Sequence, residues 1–301
     1  MEAAAVSTVD AALRAARGAG VDRLDAQLLL SEVLGRPRSW LIADGDAVLD
    51  AAQAARWAAL LARRAEGEPL AYILGVKEFA GVALKVDARV LVPRPDTETL
   101  VDWAVQILRQ RAMPETACVA DLGTGSGAIA IAIARLTGAA VTAVERSADA
   151  LAVAQANAAQ FAPGVRCLAG SWWAPLRGTI FDLVVSNPPY VAEGDAHLPA
   201  LRHEPTEALV AGPDGLGDLR TIVAGAPVHL TDGAWLLLEH GCDQSAAVTQ
   251  LLADAGFSDV QTRCDLGAQP RVTGGRWRGH QATAERESNA STRAPGGAVR
   301  Q

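Results

Sequence analysis

The chain has 301 residues, 50% of them hydrophobic and 20% charged, with a net charge of −7 and a pI near 5.3. That is enough apolar matter for one large domain and a smaller one, and the acidic balance argues against a direct nucleic-acid partner, which needs clustered Lys and Arg. Arg, Asp or Gly interrupts the apolar runs before eighteen residues accumulate, so no membrane span is expected; the start "MEAAAVSTVDAAL" lacks the basic-then-apolar pattern of a secretory signal, and a cytoplasmic location is expected.

Residues 1–75 read as a small bundle of short helices. Ala, Leu and Arg dominate, Leu24 and Leu28 share one helix face, as do Trp57 and Leu61, and Gly35 with Pro37 and Gly67 with Pro69 are stop signals. Such a bundle serves either as a docking module or as a stabilising appendage. Residues 76–95 form a linker in which "FAGVALKVDARVLV" alternates apolar and polar residues, the pattern of a hairpin. In "PRPDTETL", Pro95 and Asp96 open a helix that runs through "TLVDWAVQILRQ". Arg94 either contacts a substrate or fixes the turn.

Strands and helices alternate through residues 96–278. "ACVAD" precedes the helical "GAIAIAIARL", "AVTAVE" precedes "SADALAVAQANAAQF", "VRCLAG" leads to a Trp-rich loop, and "FDLVVS" leads to "NPPY". "AWLLLEH" and "DQSAAVTQLLADAGF" continue the series, and "SDVQTRCDLGAQPRVTGGRW" reads as two further strands. Continuous apolar strands alternating with helices predict an α/β fold with a parallel sheet. Residues 279–301 have Val299 as their only branched aliphatic and no aromatic, and are expected to be a disordered tail.

Cys118, Cys167, Cys242 and Cys264 lie far apart without a C-x-x-C pair, so they are expected as small buried thiols. The five histidines have no metal-ligand spacing, and no metal is expected. Nothing in the chain demands a dimer, and a monomer is expected.

"ADLGTGSGAIAIA" places Gly123, Gly125 and Gly127 between a strand and a helix, where the backbone must turn sharply and a ligand must come close. Glu145 ends the next strand, positioned to accept hydrogen bonds from both hydroxyls of a ribose. A nicotinamide cofactor prefers G-x-G-x-x-G, with a helix N-terminus facing a pyrophosphate. Here the spacing is G-x-G-x-G with Asp121 before it, which suits the cationic amino acid part of S-adenosylmethionine better than an anionic diphosphate. The glycine loop, Glu145, "GSWW" (Gly170 to Trp173) and "NPPY" each follow a strand, so all four should emerge on one rim of the sheet. At about 4.8 Å per strand they would span roughly 15 Å, the size of a nucleoside carrying an amino acid. Trp172 is placed to cover the adenine.

The motif Asn187-Pro188-Pro189-Tyr190 offers carbonyl acceptors without donors, because neither proline has an N–H. Such a turn suits a planar –NH2: the Asn187 side-chain oxygen and the Pro188 carbonyl each take one hydrogen, and Tyr190 packs against the flat body. The motif alone does not separate a glutamine amide from the exocyclic amine of a nucleobase.

Together, "ADLGTGSGAIA", "SNPPY" and "VLVPRPDTE", supported by "EPLAYILG", "LLLEHG" and "RVTGGRW", resemble the peptide chain release factor N5-glutamine methyltransferase family, HemK/PrmC, over residues 1–278. The resemblance implies a Rossmann-like class I methyltransferase sheet of seven strands, one of them antiparallel, a helical N-terminal domain that docks the substrate, and S-adenosylmethionine as methyl donor. The implied acceptor is the glutamine of the Gly-Gly-Gln loop in release factors. Carried over residue by residue, Gly123, Thr124, Gly125, Ser126, Gly127, Glu145, Trp172 and Asn187 would bind the cofactor, and Asn187, Pro188, Pro189 and Tyr190 would hold the glutamine and carry catalysis. The chain departs from the family at Glu145, where many members have Asp, and at Ser171, where an acid often precedes the aromatic. The alternatives are a DNA or RNA exocyclic-amine methyltransferase, an enzyme acting on a glutamine of a ribosomal protein, and an inactive module that binds partners through its helices.

Overall fold

The computed structural model of the chain describes residues 8–110 and 114–279. The sequence-based expectation of a disordered tail falls almost wholly on residues 280–301, outside the described residues. No described helix is long and apolar enough to cross a membrane. The chain divides into two compact units, the first made of Met1–Lys77 with the short segments Lys85–Ala88 and His197–His203.

The first unit is helical: α1 (Val9–Gly18), α2 (Arg23–Leu34), α3 (Arg38–Ala43), α4 (Ala51–Ala65) and α5 (Leu70–Leu74). Side-chain caps set the starts of α1, α2 and α4, whereas α3 and α5 begin after Pro37 and Pro69 without one. Thr8 accepts from Ala11 N, Asp22 from Leu24 N, and Asp50 forms a capping box with Gln53. Gly35 ends α2 in the left-handed conformation. The core of this unit is built on Ala12, Leu29, Leu30, Leu41 and Trp57, with Leu60 and Leu61 packed against it. Trp57 and Leu61 thus share the buried side of α4. Leu24 and Leu28 do not mark the buried side of α2: Leu24 is exposed and the buried residues are Ala26, Gln27, Leu29, Leu30 and Val33. A spacing of four identifies a face without saying which face packs.

A hairpin, β1 (Val76–Phe79) and β2 (Val82–Lys85), follows. Its second strand stops at Lys85; the alternation expected to run to Val92 continues as irregular chain.

The second unit carries α6 (Glu98–Arg109), β3 (Cys118–Leu122), α7 (Ala128–Thr137), β4 (Ala140–Glu145), α8 (Ala148–Phe161), β5 (Arg166–Ala169), β6 (Phe181–Ser186), α9 (Gly217–Gly225), β7 (Leu230–Glu239), α10 (Ser245–Asp254), β8 (Ser258–Cys264) and β9 (Pro270–Arg276). Seven strands form one sheet in the order β5-β4-β3-β6-β7-β9-β8, parallel except for β9, which runs against both neighbours. This is the class I methyltransferase fold that the resemblance implied.

The central strands are buried on both faces, which is why they read as unbroken apolar runs. Val119 of β3 and Leu183 and Val185 of β6 pack on one side with α6 and α7. Ala120 and Leu122 of β3 and Val184 of β6 pack on the other with α9 and α10. Gly274 and Gly275 in β9 are small for a packing reason: a Cβ on Gly274 would lie 2.4 Å from Leu237 Cδ2, and one on Gly275 would lie 2.8 Å from Phe257 Cβ.

The cysteines correct an expectation. Cys118, Cys242 and Cys264 are exposed and Cys167 is half-buried. Cys118 opens β3 and Cys264 closes the edge strand β8, so both sit at strand ends rather than in the packed layers.

Candidate active site

Chain order reverses between β3 and β6, and in an open parallel sheet that switch point opens a crevice at the carboxyl ends of the strands. A cavity of about 900 Å³, its open mouth included, lies there. Ser186 Oγ, at the end of β6, donates to Leu122 O at 2.6 Å, fastening the two strands where their loops diverge.

The glycine loop lines this cavity. Gly123, Gly125 and Gly127 all have φ between +57° and +84°, a region costly for residues with a Cβ, so three left-handed turns fit into five residues. The loop is held from both sides. Gly123 N and Thr124 N donate to Val144 O of β4 at 2.9 and 3.0 Å, and Asn157 Nδ2 from α8 donates to Ser126 O at 2.9 Å. Gly123, Thr124, Gly125 and Ser126 lie on the cavity wall, whereas Gly127 does not and caps α7 instead.

Asp121 is fully buried and is absent from the wall. The acid that precedes the glycine loop therefore does not line the cavity. Its Oδ2 accepts from Thr124 Oγ1 at 2.6 Å and from Ala130 N at 3.1 Å, while Oδ1 has no hydrogen-bond partner among the described residues. Burial pushes its pKa up to about 7 against these two hydrogen bonds. Asp121 braces the loop from behind.

Glu145 lies on the wall and is almost buried. Oε2 accepts from Gly125 N at 2.9 Å and Oε1 from Ser147 N at 3.0 Å. Each oxygen uses one of its two lone-pair positions on the backbone, which leaves capacity for two hydroxyl donors.

Trp172 lines the cavity with its backbone in the left-handed region, φ +49°, an uncommon state for a residue with a Cβ. A Cβ on Gly123 would come within 3.0 Å of the Trp172 ring, so the glycine leaves room for the indole. Trp172 also hydrogen bonds to Asp218 at the start of α9. Ser171, which stands where an acid was noted in relatives, is exposed and also lines the cavity.

The turn after β6 brings Asn187 and Pro189 to the wall. Asn187 Nδ2 donates to Thr97 Oγ1 at 3.3 Å, which leaves Oδ1 as the acceptor end of the amide. Pro188 is buried, and neither it nor Tyr190 is part of the wall. The Tyr190 ring packs against the core under α9 and α10, and its hydroxyl hydrogen bonds to Glu239 and Arg271. Burial holds the Tyr190 phenol above its ordinary pKa, so it stays protonated. Gln244 Nε2 donates to Tyr190 O at 3.0 Å and ties the turn to α10.

Sequence reasoning missed the residues that hold this turn. Glu239, at the end of β7, is buried and hydrogen bonds to both Thr97 and Tyr190; burial pushes its pKa up to about 7, with Thr97 and Arg271 pulling it down. Glu204 is buried, accepts from Val92 N at 3.0 Å and pairs with Arg94. Arg94 thereby fixes its turn while also lining the cavity. The strings "PRPDTE" and "LLLEHG" contained the signal, but their partners lie far away in sequence.

A family model described as the PrmC N-terminal domain matches residues 5–75, and one described as the methyltransferase small domain matches residues 97–210. The chain is 48% identical over 260 residues to a release factor glutamine methyltransferase of Bordetella pertussis, covering 85% of this chain and 95% of that one. It is 48% identical over 270 residues to the protein of the same name from Burkholderia pseudomallei, covering 86% and 94%. In fold it is similar to a methyltransferase from Pyrococcus furiosus, with a TM-score of 0.50 at 17% identity over 66% of this chain and 90% of that one.

Proposed function

We propose that this chain, which belongs to the family of release factor glutamine methyltransferases, transfers a methyl group from S-adenosylmethionine to the side-chain amide nitrogen, N5, of the glutamine in the Gly-Gly-Gln loop of peptide chain release factors. The observation that carries this is the Asn187 amide, anchored through its nitrogen by Thr97, on the same cavity wall as the glycine loop and Glu145.

The residues present fit the cofactor. Glu145 has acceptor capacity for a ribose diol, and the left-handed glycine turns let a ligand approach the backbone. When bound, the cofactor supplies a methyl carbon activated by a sulfonium.

The protein's contribution is placement. Asn187 Oδ1, on the wall, is assigned to accept from the hydrogens of the glutamine –NH2, and Pro189 beside it presents no competing donor. Acceptors aimed at those hydrogens stabilise the positive charge that grows on nitrogen, and fixing the nitrogen in line can contribute up to about 7 to 11 kcal/mol in the best intramolecular analogues. No strong base is required, because a methylated amide nitrogen loses its extra proton readily, and the protonated Tyr190 does not serve as one. The helical unit is assigned to docking the release factor, and the reaction is placed in the cytoplasm.

The test is to incubate the protein with methyl-labelled S-adenosylmethionine, purified release factor and total nucleic acid. Label in the release factor is expected; label in nucleic acid instead would favour an exocyclic amine as acceptor.

A further inference from the structure

Thr97 stands where "PRPDTE" enters α6, and only 4% of it is exposed. Its hydroxyl carries one hydrogen. Two groups meet that hydroxyl: the Glu239 carboxylate, which accepts from it, and Asn187 Nδ2, 3.3 Å from Oγ1. With its hydrogen spent on the carboxylate, Thr97 can meet Asn187 only as an acceptor. That forces the amide nitrogen of Asn187 toward Thr97 and leaves the oxygen as the end Asn187 presents elsewhere.

A side-chain amide has the same shape in both orientations, so shape alone does not choose between them. Without the carboxylate, the Thr97 hydroxyl is free to donate to Oδ1, and the amide turns over. Asn187 would then offer –NH2 to a substrate –NH2, donor against donor. Glu239 is the one acceptor in this chain of contacts that cannot reverse its role while ionised. It is 1% exposed and also holds the Tyr190 hydroxyl; burial raises its pKa to about 7, the Thr97 hydroxyl and the Arg271 guanidinium pull it back, and the order described belongs to the ionised carboxylate.

We propose that Thr97 and Glu239 are a positioning pair that sets the polarity of Asn187: the buried carboxylate orders the Thr97 hydroxyl, and the hydroxyl orders the amide so that its oxygen receives the glutamine –NH2. The inference rests on the methyl-transfer function proposed above. It explains why an acid at the end of β7, which is not on the cavity wall, bears on the reaction.

The experiment compares wild type, Thr97→Val, Thr97→Ser and Glu239→Gln in methyl transfer to purified release factor, with S-adenosylmethionine affinity measured by titration calorimetry. Valine keeps the shape and removes the hydroxyl, serine keeps the hydroxyl, and glutamine can donate to Thr97 and so release its hydrogen. Thr97→Val and Glu239→Gln should each lower kcat by at least about tenfold with cofactor Kd within about twofold of wild type, and Thr97→Ser should restore kcat to within about threefold. Wild-type kcat in Glu239→Gln, or a Thr97→Ser protein as slow as Thr97→Val, would overturn the inference. A wild-type protein that leaves the glutamine unmethylated would overturn the proposed function instead.

Discussion

The backbone N–H of Gly125 donates to Glu145 Oε2 at 2.9 Å, joining the glycine loop to the acid at the end of β4 across twenty residues of chain. The longer arm of glutamate makes this reach possible: the same carboxylate holds Ser147 N with its other oxygen and still faces the cavity. Glu145→Ala should weaken S-adenosylmethionine binding by about tenfold to a hundredfold, the range expected for hydrogen bonds to a charged group. Glu145→Asp should fall between, since it keeps the charge but draws back from Gly125. Titration calorimetry checks both, and an unchanged Kd in Glu145→Ala would remove the residue from cofactor binding.

Asn187→Ala separates binding from transfer. Glu145 and the glycine loop are untouched by it, so cofactor affinity should stay within a few-fold, while kcat should drop by about a hundredfold or more, as on removing one preorganised electrostatic partner of a transition state. Single-turnover assays at saturating cofactor make the comparison. Near-normal turnover would assign the amide no part in the reaction.

Asp121 links the loop to pH. Its folded-state pKa is pushed up to about 7 by burial, above the value of about 3.9 in an unfolded chain. Between those values the folded protein holds a proton that the unfolded chain has released, so this group's contribution to stability is present below pH 4 and is lost as pH rises through 7. Asp121→Asn has no such slope. Relative to wild type, the variant should therefore gain on the order of 3 kcal/mol between pH 5 and pH 8. Urea unfolding at the two pH values measures this, and parallel curves for the two proteins would contradict it.

Much of the site was legible because it is written in contiguous strings. The glycine loop, Glu145, "GSWW" and "NPPY" each follow a strand, and parallel strands bring their ends to one rim. What was not legible depends on long-range pairing. Glu204 meets Val92 across 112 residues and Arg94 across 110, and nothing local in "RHEPTE" announces it. Asn157 sits in an Ala-rich helix as one more polar residue until α8 packs it under Ser126. Helix α9 escaped notice because it begins at Gly217, inside a stretch rich in Gly and Asp, and buries only Leu219, Ile222 and Val223. Tyr190 was read as a substrate platform on chemical grounds; its hydroxyl partners on β7 and β9 turn it into a brace for the turn.

Arg94→Ala removes the partner of a buried carboxylate. Glu204 would keep the Val92 N–H but lose its charged donor, so the variant should lose about 1–3 kcal/mol of stability, visible as a lower Tm. Unchanged Tm together with a raised KM for release factor would reassign Arg94 from fixing the turn to contacting substrate.

The most direct test of the account is tandem mass spectrometry of a release factor after incubation with the protein and S-adenosylmethionine. One methyl on the side-chain nitrogen of the Gly-Gly-Gln glutamine is the predicted result. A methyl on any other atom of the release factor, or an unmodified peptide with active, folded protein present, would contradict it.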